Sequence, residues 1–319
     1  MTDDKIKNDN EKANNDEKQY QTEWSFSFDK IGETISRALS GVSDEETRHA
    51  EFVEPIGAAT SAVARFAGAV GITEVKALES GDNLIEADAK YVGELKFDVA
   101  DDEDQKTVHM HAARPKDLLE PVRQTLGVLG RRDELYWHIG LSKQIPMMVR
   151  FDGIVGPSDV NLSGLQLTGL EVNGNVGPSN IQLPDTANAY NVRLRGGVGQ
   201  TTLTTSSTNG VAIKIDSGVG QTNVNIPVAA AMTLEIDGGV GSMALHIAPN
   251  VAVRVEAKSG VGSINVPKSY KRVSESEEFM GKSGVWETDG FALSSEQVVI
   301  RYKGGVGSFR ITQEEIQIV

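Results

Sequence analysis

Apolar and polar residues alternate along the second half of this chain in blocks that recur every 21 or 22 residues, and each block is broken by the same glycine-rich corner. The corner reads Gly196-Gly197-Val198-Gly199, Ser217-Gly218-Val219-Gly220, Gly238-Gly239-Val240-Gly241, Ser259-Gly260-Val261-Gly262 and Gly304-Gly305-Val306-Gly307. Weaker copies stand at Gly153-Ile154-Val155-Gly156 and Gly174-Asn175-Val176-Gly177. The final glycines (Gly156, Gly177, Gly199, Gly220, Gly241, Gly262 and Gly307) serve as a ruler. Seven residues before each stand Val149, Leu170, Val192, Ile213, Leu234, Val255 and Ile300. Five before stand Phe151, Val172, Leu194, Ile215, Ile236, Ala257 and Tyr302. Four after stand Val160, Ile181, Leu203, Val224, Leu245, Val266 and Ile311. Charged residues such as Arg150, Glu171, Arg193, Lys214, Glu235 and Arg301 fall between them. This is the period of a half-buried strand on both sides of the corner.

Apolar residues sit at odd offsets before the corner and at even offsets after it, so the corner shifts the phase by one. Glycine permits the backbone bend that this needs. The Val before each ruler glycine is expected to point inward and plug the corner. Repeated columns in one chain direction predict parallel strands stacked coil on coil, about 4.8 Å apart. One coil cannot bury its own apolar row, so neighbours must do so. The predicted fold is all-β: a right-handed β-helix, or solenoid, with coils of about 21 residues. A propeller blade needs about 40 residues and fits less well.

The remaining chain divides by pattern. Residues 1–22 are polar and acidic, the composition of a disordered tail. Residues 23–56 hold an amphipathic helix, with Trp24, Phe28, Ile31, Ile35 and Leu39 on its apolar side, followed by a polar linker. This helix is a candidate interaction element: it either covers a raw end of the solenoid or contacts a partner. Asp29 and Glu33 offset Lys30 and Arg37, so direct membrane contact is not favoured. Residues 57–148 read as less regular coils, with corners at Ala69-Val70-Gly71 and Tyr91-Val92-Gly93 and a helical insertion over 116–130. Residues 149–319 form the regular coils. Between Gly262 and Gly307 the spacing accommodates two coils and a charged loop over 268–278.

Tyr91-Val92-Gly93-Glu94-Leu95 resembles the N-terminal signature of the Toastrack family, as do Trp137-His138-Ile139-Gly140-Leu141-Ser142 and Ile145-Pro146. The Gly-Val-Gly-Ser coils and the return at Val285-Trp286 and Gly290-Phe291 resemble its C-terminal part. The resemblance covers roughly residues 50–319. It implies the fold of the cytoplasmic domain of LiaF-type cell-wall-active-antibiotic response proteins, and a role in envelope-stress sensing through protein contacts. Where LiaF-type proteins carry transmembrane helices, this chain has a polar tail and one amphipathic helix.

Composition narrows the chemistry. The chain has 319 residues, no cysteine and a net charge of −14. That excludes a disulfide framework and a thiolate site. Residues 149–266 contribute eight acids against six basic residues, a net of only −2, so the acidity lies outside the regular coils. With no basic stripe, nucleic acid is not an expected partner. No signal peptide or apolar run of membrane-spanning length is evident, which predicts a cytoplasmic protein, or one peripheral at the inner face of the membrane.

The glycine corners lack the helix and Lys of a phosphate loop. They also lack the Asp and nine-residue period of calcium-binding coils. His109 and His111 share a strand face as two ligands would, but zinc needs a third, and His138 is the one candidate close in sequence. The pair is read as solvent-facing. No Ser/His/Asp set or carboxylate pair stands out. The expectation is therefore a non-enzyme with no catalytic, cofactor or metal site. Its partners would be other proteins, including membrane-associated sensors or regulators. A self-assembling scaffold of the bactofilin type is the alternative, and a surface-groove carbohydrate enzyme comes third.

Overall fold

The computed structural model of the chain describes residues 47–112, 135–186, 188–205, 210–228, 231–275, 283–314 and 316. The expected tail, the helix bearing Trp24, Phe28, Ile31, Ile35 and Leu39, and the insertion over 116–130 lie outside the described residues. The first strands are β1 (Thr47–Pro55), β2 (Ser61–Ala67), β3 (Ile72–Ala77), β4 (Asn83–Val92), β5 (Leu95–Asp102), β6 (Gln105–Ala112) and β7 (Tyr136–Leu141). The repeats supply β8 (Met147–Asp152), β9 (Ser158–Asn161), β10 (Leu167–Asn173), β11 (Ser179–Leu183), β12 (Tyr190–Arg195) and β13 (Val198–Thr205). They continue as β14 (Val211–Asp216), β15 (Val219–Ile226), β16 (Met232–Asp237), β17 (Val240–Ile247), β18 (Ala252–Lys258) and β19 (Val261–Asn265). The chain then forms β20 (Lys271–Glu275), β21 (Ser283–Glu287), a 3-10 turn at Phe291–Leu293, β22 (Gln297–Lys303) and β23 (Val306–Gln313).

Two long sheets face each other across one core. The first runs β1-β4-β7-β3-β9-β11-β13-β15-β17-β23-β19, the second β20-β21-β18-β22-β16-β14-β12-β10-β8-β2-β6-β5. Each regular coil gives one strand to each sheet and pairs in parallel with its neighbours. The expected columns are in register: Val149, Leu170, Val192, Ile213, Leu234, Ile300 and Val255 follow one another from coil to coil. Of the apolar positions read from the ruler, all are buried except Val266, which is half-buried against the same core. Each such side chain withdrawn from water contributes about 1.5–3 kcal/mol, and the stack shares that gain between neighbours. The chain is thus a β-solenoid.

Spatial order departs from chain order at both ends. The coil β22/β23 lies between β16/β17 and β18/β19, so the last coil in sequence is not the last in the stack. At the other end β2/β3 sits between β8/β9 and the strands β6 and β7. Ala69-Val70-Gly71 is a true corner, because Val70 bridges Val155. Tyr91-Val92-Gly93 is not. It ends β4, which runs antiparallel between β1 and β7, so it cannot continue a parallel coil.

Antiparallel strands finish both ends. β5 folds back on β6, and Phe97 stacks on Phe52 of β1 with ring centroids 4.7 Å apart, joining the terminal strands of the two sheets. Beneath them Lys106, buried on β6, donates to Glu54 Oε1 at 2.5 Å and to the Pro55 carbonyl at 2.9 Å. At the far end β21 lies antiparallel on β18 and β20 antiparallel on β21, with the Arg272 guanidinium 5.4 Å from the Trp286 ring centre.

The corners correct one expectation. Val198, Val219, Val240 and Val306 are 51–53% exposed and Val261 is 71% exposed, so they point outward and plug nothing. The inward position is the one before them. In the first regular coil it is Ile154, which is buried. In the next coil it is Asn175, and from Gly197 onward it is glycine, because the preceding coil's backbone already fills the space: a Cβ on Gly218 would strike the Gly197 carbonyl, and one on Gly239 that of Gly218. The ruler glycines hold φ between +123° at Gly177 and +155° at Gly262, a region that L side chains resist.

Candidate interaction surface

Because every corner turns alike, its outward Val recurs at one place on every coil. Register pairing carries the column through Val155, Val176, Val198, Val219, Val240, Val306 and Val261. From Val176 onward each is exposed. At about 4.8 Å per coil these valines make an apolar ridge roughly 24 Å long. Beside them Gln200, Gln221, Ser242, Ser308 and Ser263 form a parallel uncharged row. Scattered surface apolar residues need no explanation, but a contiguous row is a candidate contact surface.

Behind the ridge lies a cavity of about 50 Å³ lined by Asn175, Thr201, Ser217, Thr222 and Tyr302, among others. Asn175 Oδ1 and Ser217 Oγ are buried there without a hydrogen-bond partner from the protein. The space suits about three or four waters and no larger ligand.

The outer face of the second sheet is charged and neutralises itself across coils. Arg150 reaches Asp152 at 2.8 Å and Glu171 at 3.4 Å; Lys214 reaches Asp237 at 3.7 Å; Arg301 reaches Glu235 at 3.6 Å and Glu256 at 3.5 Å. Burial alone would raise the Asp152 carboxyl, but hydrogen bonds from Arg150 and Asn173 outweigh it and hold the group below its ordinary value. A shallow open depression of about 510 Å³ crosses this face, with Glu171 and Glu235 as its acids. Both are paired with arginines, Glu171 with Arg150 and Glu235 with Arg301.

The histidines sort differently from their sequence spacing. His109 and His111 stack on one face of β6, ring centroids 4.3 Å apart. Burial, then His111 and Arg65, lower the value of His109. His138 is not with them: it lies on β7 in the other sheet, 3.7 Å from Glu74. Asp98 of β5 stands there instead, directly opposite His109. Sequence spacing missed Asp98. Its signal was the pair of alternating runs on either side of the acidic turn at 103–104, which reads as a hairpin.

These features define a β-solenoid of parallel coils with antiparallel ends and an exposed corner ridge. The chain belongs to the Toastrack family: the family model for the N-terminal domain of toast_rack, DUF2154, matches residues 41–204. No curated protein matches the chain. Among solved structures it is similar to a candidate cell adhesion protein from Clostridium sporogenes ATCC 15579, at 14% identity and TM-score 0.43, over 84% of this chain and 100% of that one. It is also similar to a candidate adhesin from Bacteroides fragilis NCTC 9343, at 12% identity and TM-score 0.35, over 84% of this chain and 98% of that one. Among the described residues no helix is long and apolar enough to cross a membrane.

Proposed function

We propose that this protein is a non-catalytic scaffold or sensor of the bacterial cell-envelope stress response that works in the cytoplasm by binding other proteins. The observation that supports this is the valine ridge. It is apolar, continuous over six coils from Val176 to Val261, and bordered by an uncharged row. A partner fitting it would present a straight apolar strip with no charge at its centre, since a buried unpaired charge is costly. The stress-response part of the reading rests on family membership and on the resemblance to LiaF-type domains.

The test is affinity capture from cells treated with a cell-wall-active antibiotic, comparing the wild type with the Val198→Lys/Val219→Lys/Val240→Lys variant. The expected result is a partner retained by the wild type only under stress and lost by the variant, with an unchanged melting temperature. A partner set indifferent to both the antibiotic and the substitutions overturns the proposal. So does a wild type that assembles with rising concentration when the variant does not, because the ridge is then a self-contact.

A further inference from the structure

Strand β6 sends His109 and His111 out from the same face, two residues apart. The antiparallel register of β5 brings Asp98 opposite His109. The side-chain donor atoms of Asp98, His109 and His111 all lie within 4.8 Å of one another. His111 Nδ1 lies 3.6 Å from Asp98 Oδ2 and, although shielded from solvent, makes no hydrogen bond. A shielded ring nitrogen without a donor or acceptor partner carries an uncompensated desolvation cost.

We propose that Asp98, His109 and His111 bind one divalent transition-metal ion, with zinc as the best fit. Two imidazoles and one carboxylate form a donor set suited to zinc, whereas magnesium and calcium favour oxygen alone. Zinc bonds of about 2.0–2.2 Å set tetrahedral ligand atoms roughly 3.3 Å apart. The three side chains must therefore close by up to about 1.5 Å, a rotamer adjustment for side chains that are exposed or half-buried. Three protein ligands leave a fourth position open to water or to a group from another molecule.

The surroundings set limits on affinity. Arg65 lies beside His109 on β2, and Lys96 lies beside His111 on β5. Both are cations and oppose the ion. Asp152 is the next carboxylate on this face, but Arg150 at 2.8 Å and Asn173 at 2.7 Å already hold it. The site is thus Asp98 and two histidines, tuned down by Arg65.

The experiment titrates zinc chloride into the chelator-treated full-length chain, followed by calorimetry and equilibrium dialysis. One ion per chain is expected. His109→Ala, His111→Ala and Asp98→Asn should each weaken binding by at least about tenfold, and the double histidine variant should abolish it. Arg65→Gln should tighten binding, which a merely structural role for the cluster does not predict. Cobalt should give the visible bands of a four-coordinate site. The variant His49→Ala/His138→Ala removes the remaining candidates near this end of the stack and should bind as the wild type does. Absence of saturable uptake by the wild type overturns the proposal. So does uptake that survives in the folded double histidine variant or is lost with His49 and His138.

Discussion

The coils from β8/β9 to β16/β17 and the strands β1–β7 bury apolar residues by different means. In the coils one 21-residue rule is applied repeatedly, so Val192, Ile213 and Leu234 occupy equivalent places and rest on one another. In the N-terminal strands parallel and antiparallel pairing mix, and single contacts do the closing: Phe52 on Phe97, Lys106 with Glu54, and Trp137 wholly buried on β7. The repeat yields length and an identical outer surface on every coil, which is what an extended ridge requires. The irregular end yields side-chain constellations, and the cluster of Asp98, His109 and His111 is found there. Regularity favours contact along a line, whereas irregularity allows chemistry at a point.

Breaking one rung of the repeat should have the largest effect. Ile215→Asp places a carboxylate in a column between Leu194 and Ile236, which are buried like it and offer it no charged partner. An unpaired buried charge costs several kcal/mol, enough to abolish cooperative unfolding of the stack. Thermal melting followed by circular dichroism checks this. An unchanged melting temperature would remove the column from the core.

The corners should come next. Gly241→Val combines a φ of +138° with a Cβ directed at the Gly220 backbone. Ser242→Val adds bulk at a half-exposed position one residue later. The first should cost about 3 kcal/mol or more and the second less than about 1 kcal/mol, read from denaturant midpoints. Equal tolerance would mean that the coils are not held at the close spacing on which the whole ridge depends.

These two cases also show how far the sequence could be read. The columns around Ile215 were legible because period-two alternation has one physical cause, a sheet with one buried face. The direction of Val198 and its equivalents was not. Alternation cannot be carried through a corner in which Gly196, Gly197 and Gly199 all hold positive φ. Nor was the coil order legible. When every coil presents the same columns, β22 matches β16 as well as β18 does, so periodicity alone leaves the neighbour undecided. Asp98 escaped for the same kind of reason: its position beside His109 depends on hairpin register, which turns on the positive-φ residue Glu103. The candidate site was half visible, with its histidines in the sequence and its carboxylate only in the fold.

At the irregular end one ion pair takes the place of a column. Burial alone would lower the Lys106 ammonium, but its hydrogen bond and charge interaction with Glu54, aided by Asp101, more than offset that and raise it above the ordinary 10.5. A raised lysine contributes stability fully below pH 10.5 and loses it as the pH climbs through the folded-state value. Lys106→Met leaves the Glu54 carboxylate without its partner and should cost about 1–3 kcal/mol at neutral pH, and the difference from the wild type should shrink above pH 10.5. Denaturant titrations across that range check the sign. A difference that stays constant with pH would mean that Lys106 acts through packing alone, making the two ends of the comparison more alike than their contacts suggest.

The smallest expected effect falls on the most regular feature. Val219→Thr keeps the branched shape that suits a strand and changes a methyl for a hydroxyl at a position 53% exposed. If the side chain faces solvent, stability should move by less than about 0.5 kcal/mol, the range for surface substitutions away from special features. A Val that plugged the corner would behave differently, because its replacement would bury a hydroxyl without a partner and cost about 1–3 kcal/mol. Repeating the substitution at Val198, Val240 and Val306 makes the distinction sharper, since the neutral outcome stays near zero while the buried outcome accumulates. A near-zero sum, combined with loss of the stress-dependent partner, would assign the ridge to contact and leave stability to the columns behind it.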